Sequence, residues 1–438
     1  MIADRYVRRT VEAVALLSPF MGGLVAGFPI SIIDLMMPIF VLVMLTGGLA
    51  ASPMAGYYFA YIGMCLVSSL LQIGEAEFGS IARSAIAAIR QIVIFAPFML
   101  VFCVRNIDEA FIARVVRLAV IGLCLSVVIG LFMHYAGITV AENQQFWQRS
   151  LGRYTSSSRA GGLSGNTGAY GLTVVAFAMA VFVAMPATGQ KVGRTFAWFS
   201  ALIVVLATYV SSSRGGMLQL LLLVAPLMLL GRVKVGPGAV LIVLLAISGI
   251  ALLFALTGRD LPIDLNSVAF QRLDILNLSG ESSFLDSSRA ELFRRAVAML
   301  PDYWLTGVGY KRQLEALELV VDNSFLLILL ESGVFALLFF SLFWLALLYR
   351  ILVQMRRERV LSVVLLFIYA SVVLRMMVSA VHTNWNAMPV IYLLMALLLR
   401  ASILRGQRLA AAKPTARAAE GGYGRALDGP APPPLGAR

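Results

Sequence analysis

The sequence predicts an all-α polytopic membrane protein of about twelve spanning helices. Three observations carry that class. The 438 residues are 60% hydrophobic and 13% charged, against about 25% charged in a soluble domain. Apolar runs of about twenty residues, the length that crosses the hydrocarbon core of a bilayer, recur until about residue 404. Lysine and arginine gather in alternate short connections that hold few acids, as the positive-inside rule requires.

Taken in order, the runs place helices near 11–28, 32–49, 53–73, 85–104, 115–136, 168–186, 195–211, 216–231, 238–257, 324–347, 360–379 and 386–404. No cleavable signal is recognised, so the first run reads as a retained helix. With the N-terminus cytoplasmic, the basic groups Arg5, Arg8 and Arg9, then Arg105, Arg114 and Arg117, fall inside. So do Lys191, Arg194, Arg232, Lys234, Arg350, Arg356, Arg357 and Arg359, with the C-terminal basic residues. Both ends are then inside, and two long segments, about 137–167 and 258–323, lie outside. Those segments and one outer turn carry Arg149, Arg153, Arg159, Arg214, Arg272, Arg289, Arg294, Arg295 and Arg312. Arginine in place of lysine suits bidentate recognition of phosphate; solvated loop charge is the alternative for any one of them. Residues 1–404 form one membrane domain, and 405–438, rich in Ala, Gly, Pro and Arg, read as a disordered basic cytoplasmic tail. Cys65, Cys103 and Cys124 lie within apolar runs and read as small buried side chains. Two histidines, His134 and His382, are too few for a His-built metal site, so no metal is expected.

The candidate chemistry sits on the outer side. In the first long segment Arg159 precedes Gly162, and Asn166 opens the next helix. Glycine allows backbone N–H groups to approach an anion closely. An ordinary flexible loop is the alternative. Ser213 and Arg214 lie in SSSRGG, a turn too short to leave the membrane boundary. An arginine there, close to a helix start, favours an anion, and interfacial snorkelling is the alternative. Ser288 and Glu291 have capping-box spacing, followed by an apolar face of Leu292, Ala296, Val297 and Leu300, with Pro301 as the stop. Arg289 falls in the first turn of that helix, and Arg294 and Arg295 on flanking faces. A glycine turn, Gly307-Val308-Gly309, precedes the polar entry Asp322-Asn323-Ser324 to the next long helix. Asp322 is placed to take a proton from a sugar hydroxyl, or to cap the helix. Glu331 is a carboxylate within an apolar helix, a functional candidate or a brace for a cation. Asp34, Arg90 and Arg375 also fall within helices and pair internally on this reading; His382, in the turn HTNWN, reads as an exposed turn histidine.

At Arg159–Gly162, Ser213-Arg214-Gly215, Arg289, Gly307-Val308-Gly309, Asp322-Asn323-Ser324 and Glu331-Ser332-Gly333 the chain resembles the O-antigen ligase and O-antigen/exopolysaccharide polymerase family. The opening GFPISIIDLMMP, Gly27 to Pro38, is also similar to exopolysaccharide polymerases. The resemblance implies a glycosyltransferase of the GT-C type in the bacterial inner membrane, with a large periplasmic loop carrying short helices. It implies an undecaprenyl-pyrophosphate-linked oligosaccharide as donor, inverting transfer to another lipid-linked repeat, and no cofactor or metal. Arg214, Arg289 and Asp322 take catalytic roles on this resemblance. Arg159, Gly162, Asn166, Ser213, Arg294, Arg295, Gly307, Gly309, Asn323 and Glu331 bind substrate. Membrane lipid, a chain-length regulator and a flippase are the expected partners, and nucleic acid is not. The ligases carry histidine where this chain has Asp322, which favours the polymerases. A ligase acting on a lipid or protein acceptor is the alternative, and a polysaccharide flippase the second.

Overall fold

The computed structural model describes residues 2–20, 38, 53–73, 77–104, 107–136, 162–164, 167–211, 216, 219–220, 222–223, 288–318, 321, 323–384 and 387–423. Within these, the side chains of 2, 3, 164, 167, 288–291, 314, 378 and 411–423 are not described. The described elements are helices: α1 (Ile2–Leu17), α2 (Pro53–Leu71), α3 (Phe78–Cys103), α4 (Glu109–Tyr135), α5 (Gly168–Ala187) and α6 (Arg194–Ser211). Then come α7 (Ser288–Ala298), α8 (Leu300–Tyr303), α9 (Gln313–Leu317), α10 (Ser324–Met355), α11 (Arg359–Val378) and α12 (Met388–Tyr423). Among the described residues, eight helices are long and apolar enough to cross a membrane: α2 to α6 and α10 to α12. The chain is therefore a multi-pass membrane protein. The expected helices at 32–49, 216–231 and 238–257 lie outside the described residues, apart from isolated positions.

Several boundaries differ from the hydropathy reading, for one physical reason. Apolar runs register only the part of a helix that meets hydrocarbon. Real helices run on until a cap stops them. Asp108 accepts the N–H of Phe111 at 2.6 Å and starts α4 at Glu109, ahead of the expected 115. Glu358 accepts the N–H of Leu361 at 2.7 Å and starts α11. α1 begins at Ile2 instead of about 11, because one face (Val7, Val11, Val14, Ala15) is buried while Arg5 and Arg9 are exposed. α12 carries on to Tyr423, so the stretch 405–423 expected to be disordered is helical in its backbone. Alanine and arginine, frequent there, are strong helix formers whether or not a core is available.

The core is aromatic where α2, α3, α10 and α12 meet. Tyr58 stacks on Phe95 with ring centroids 4.0 Å apart. Phe343 meets the same two rings edge-on, and Tyr392 closes the group. Cys65 and Cys103 are buried free thiols and Cys124 a half-buried one, as expected. One end of the bundle is tied by side chains: Glu12 to Arg114 at 3.2 Å, and Glu109 to Arg405 and Arg408 at 3.6 and 3.0 Å. The other end, where α2 stops and α3, α10 and α12 start, is built differently and holds the candidate site.

Candidate functional site

Asn323 opens the site. Its side-chain oxygen accepts the N–H groups of Phe325 and Leu326, both at 2.9 Å, and its amide donates to the Met377 carbonyl at 2.8 Å. The helix cap is thus Asn323. Ser324 adds a bond from its hydroxyl to the Ser379 carbonyl at 2.9 Å, joining α10 to the turn after α11. Both amide functions of the predicted ligand Asn323 are engaged within the fold.

α10 then breaks. The sequence reading made it one helix through Glu331, but Gly333 has φ 79 and ψ 179 inside the apolar run. Only glycine takes that conformation without steric cost. The break leaves backbone groups without their helical partners. The segment from Trp304 to Tyr310 satisfies them instead. Val308 N–H donates to the Leu330 carbonyl and Gly309 N–H to the Glu331 carbonyl, each at 2.9 Å. Val334 N–H returns a bond to the Trp304 carbonyl at 2.8 Å. A Cβ on Gly333 would meet the Leu305 carbonyl, and one on Gly307 the backbone of Glu331. The Gly-x-Gly and Glu-x-Gly motifs are therefore two halves of one joint.

Other helices brace the joint. Ser68 of α2 donates to the Glu331 carbonyl at 2.8 Å, Gln72 to the Gly307 carbonyl at 3.2 Å, and Ser84 of α3 to the Tyr310 carbonyl at 2.6 Å. Sequence reasoning missed all three. Ser68 and Gln72 stand one helical turn apart in an apolar helix, a polar stripe that pointed to a polar partner.

The Glu331 side chain is buried. Its carboxylate accepts the backbone N–H of Lys311 and faces the Lys311 charge, so the partner is lysine, not the arginine considered from sequence. Its Oε2 has no hydrogen-bond partner among the described residues. His382 is 1% exposed, which corrects the exposed-turn reading. It lies edge-on to Phe340 at 5.8 Å, and neither ring nitrogen has a described partner. Burial, helped by the Lys311 charge, pushes its pKa down to about 3, so the ring is neutral.

Among the described residues, one cavity borders Lys311 and Arg312, just after the joint, and another borders the joint itself. One, of about 210 Å³, is walled by Ser80, Arg83, Ser84, Lys311, Arg312 and Glu315. The other, of about 240 Å³, is mostly apolar, with Met64, Val67, Leu71, Leu305 and Phe335 in its wall.

α7 follows the predicted pattern with two changes. Leu292 and Ala296 pack with Met299 and Leu300 against Leu326, Leu327 and Leu330, but Val297 is exposed. Pro301 does not end the helix. The break comes at Met299, and Pro301 sits in the first turn of α8, where its missing N–H costs nothing. Arg289 lies in the first turn of α7 by its backbone, and Arg294 and Arg295 are exposed. Gly162 takes φ +56 beneath the Tyr170 ring, whose hydroxyl bonds the Val127 carbonyl at 2.7 Å. Arg159, Asn166, Ser213, Arg214 and Asp322 lie outside the described residues, so the structure leaves their roles as sequence-based expectations.

A family model described as O-Antigen ligase matches residues 199–341, a stretch that includes α6 and ends in α10 just past the joint. No curated protein matches the chain. The family comprises ligase and polymerase-type membrane enzymes that act on lipid-linked glycans. Residues 199–341 of this multi-pass protein thus match an O-antigen ligase family model.

Proposed function

We propose that the protein is a surface-polysaccharide polymerase of the bacterial inner membrane, with both termini cytoplasmic and the joint at the periplasmic face. The donor is a glycan on undecaprenyl pyrophosphate and the acceptor the terminal sugar of another lipid-linked repeat. The acceptor hydroxyl oxygen bonds to the anomeric carbon while the carbon–oxygen bond to pyrophosphate breaks, inverting that centre. The hydroxyl proton passes to Asp322, and lipid pyrophosphate leaves with the bonding pair. Arg159, Arg214 and Arg289 stabilise the charge that grows on it.

The observation that carries this reading is the pairing of walls around one joint: a cavity rich in cations and an apolar one beside the same loop. An amphiphile with an anionic head suits both. Asn323 fills the capping role, which weakens the structural alternative for Asp322. Aspartate at 322, where ligases have histidine, favours polymerase over ligase; the family description itself favours the ligase.

Complementation of a deletion strain tests the reading. Arg214→Ala and Arg289→Ala are each expected to lower polymer yield by about a hundredfold. Single repeats left on the acceptor identify a polymerase, and long polymer left on the carrier lipid a ligase. Unchanged chain length and yield in both variants would falsify the assigned roles. Elongation by the purified protein without a transport partner removes the flippase reading.

A further inference from the structure

We propose that Lys311 is a further phosphate-binding residue of this enzyme, presenting its ammonium to the substrate's pyrophosphate from the wall of the 210 Å³ cavity. The proposal rests on the lipid-pyrophosphate reading above and adds a residue that the sequence motifs left unassigned.

Lys311 has φ 59, in the left-handed region. For a residue with a Cβ that costs about 1 kcal/mol or more, and glycine would hold the turn without it. Strain of this kind gathers where a side chain is needed. The backbone shows what the turn achieves: the Lys311 N–H is delivered to the Glu331 carboxylate, which locks the residue to the joint. Protein surrounds Lys311 at longer range, yet its own surface is exposed, as expected of a side chain on a cavity wall.

The charges around that wall favour an anion. Arg83 and Arg312 line it with Lys311, against the single carboxylate of Glu315. Glu315 is already held by Arg83 at 3.3 Å, by the Ser80 hydroxyl and, more loosely, by Arg312 at 3.9 Å. From beneath, Lys311 is faced by Glu331, Arg90 and neutral His382. The cavity also adjoins the first turn of α3, a helix of 26 residues whose N-terminal dipole adds to the attraction.

The test uses full-length protein in nanodiscs of zwitterionic lipid, with inorganic pyrophosphate as competitor of the lipid-linked donor. Lys311→Gly removes the ammonium and relaxes the strained φ but leaves the buried Glu331 without the charge it faces, so its melting temperature is measured first to establish that the variant is folded. Its inhibition constant for pyrophosphate and its KM for donor are expected to rise about tenfold, with kcat changed less. Lys311→Arg is expected to restore both to within about threefold. A folded Lys311→Gly protein with wild-type pyrophosphate affinity overturns the proposal. So does a difference seen only when phosphatidylglycerol is added, because the site then takes bilayer headgroups. If Arg214→Ala and Arg289→Ala keep full donor turnover while Lys311→Gly loses affinity, the arginine roles fall and Lys311 stands.

Discussion

The two ends of the helix bundle are held by different chemistry. At the end where α1, α4 and α12 meet, partly exposed carboxylates and arginines pair across helices. Such pairs contribute roughly 0–1 kcal/mol each and weaken with salt. At the end that holds the joint, backbone bonds the backbone, and serine and glutamine hydroxyl and amide groups close the remaining valences. Most of those groups are buried, and a buried one left unpaired costs about 1–3 kcal/mol. One end tolerates exchange of its side chains; the other has a shape that few residues can supply.

The comparison breaks most readily at Gly333. Gly333→Ala forces a Cβ into φ 79 and onto the Leu305 carbonyl. The expected loss is roughly 3 kcal/mol or more, read as a fall in folded yield and melting temperature in detergent. A variant that melts with wild type would mean the joint is not what holds this end.

Acid gives a smaller effect with a defined sign. His382 is neutral in the fold, with its pKa depressed to about 3, whereas an unfolded histidine titrates near 6.5. The unfolded chain therefore binds the proton first as pH falls. Stability is full above about 6.5 and is lost progressively toward 3, by roughly 5 kcal/mol in all. Melting curves across that range should show the loss, and His382→Leu should flatten the part between pH 6 and 4. A slope unchanged by the substitution would place the acid sensitivity elsewhere.

The smallest effect belongs to the opposite end. Glu109→Gln removes the partner of Arg405 and Arg408 and should cost at most about 1 kcal/mol, vanishing in molar salt. A cost as large as that of Gly333→Ala would erase the contrast between the ends.

Much of this was legible in the residues. Eight of the expected spans appear where apolar length put them, and both glycine motifs were singled out. Their union was not, because hydropathy counts apolar side chains and cannot register a φ of 79 at one glycine in an unbroken apolar run. The exposed reading of His382 failed for a related reason. A turn rich in Asn and Thr looks wet, yet packing against Phe340 closes it. Lys311 escaped notice because its importance lies in its backbone conformation and its neighbours, neither of which follows from a lone lysine in a loop.

The joint also fixes an order of assembly. Val308 and Gly309 are synthesised before the carbonyls of Leu330 and Glu331 that receive them, and Ser68 is made 263 residues ahead of its acceptor. The nascent loop has nowhere dry to dock until α10 has been threaded into the bilayer. α10, in turn, carries an interrupted ladder that hydrocarbon penalises until the loop arrives. Insertion of one and docking of the other therefore complete each other, late in translation.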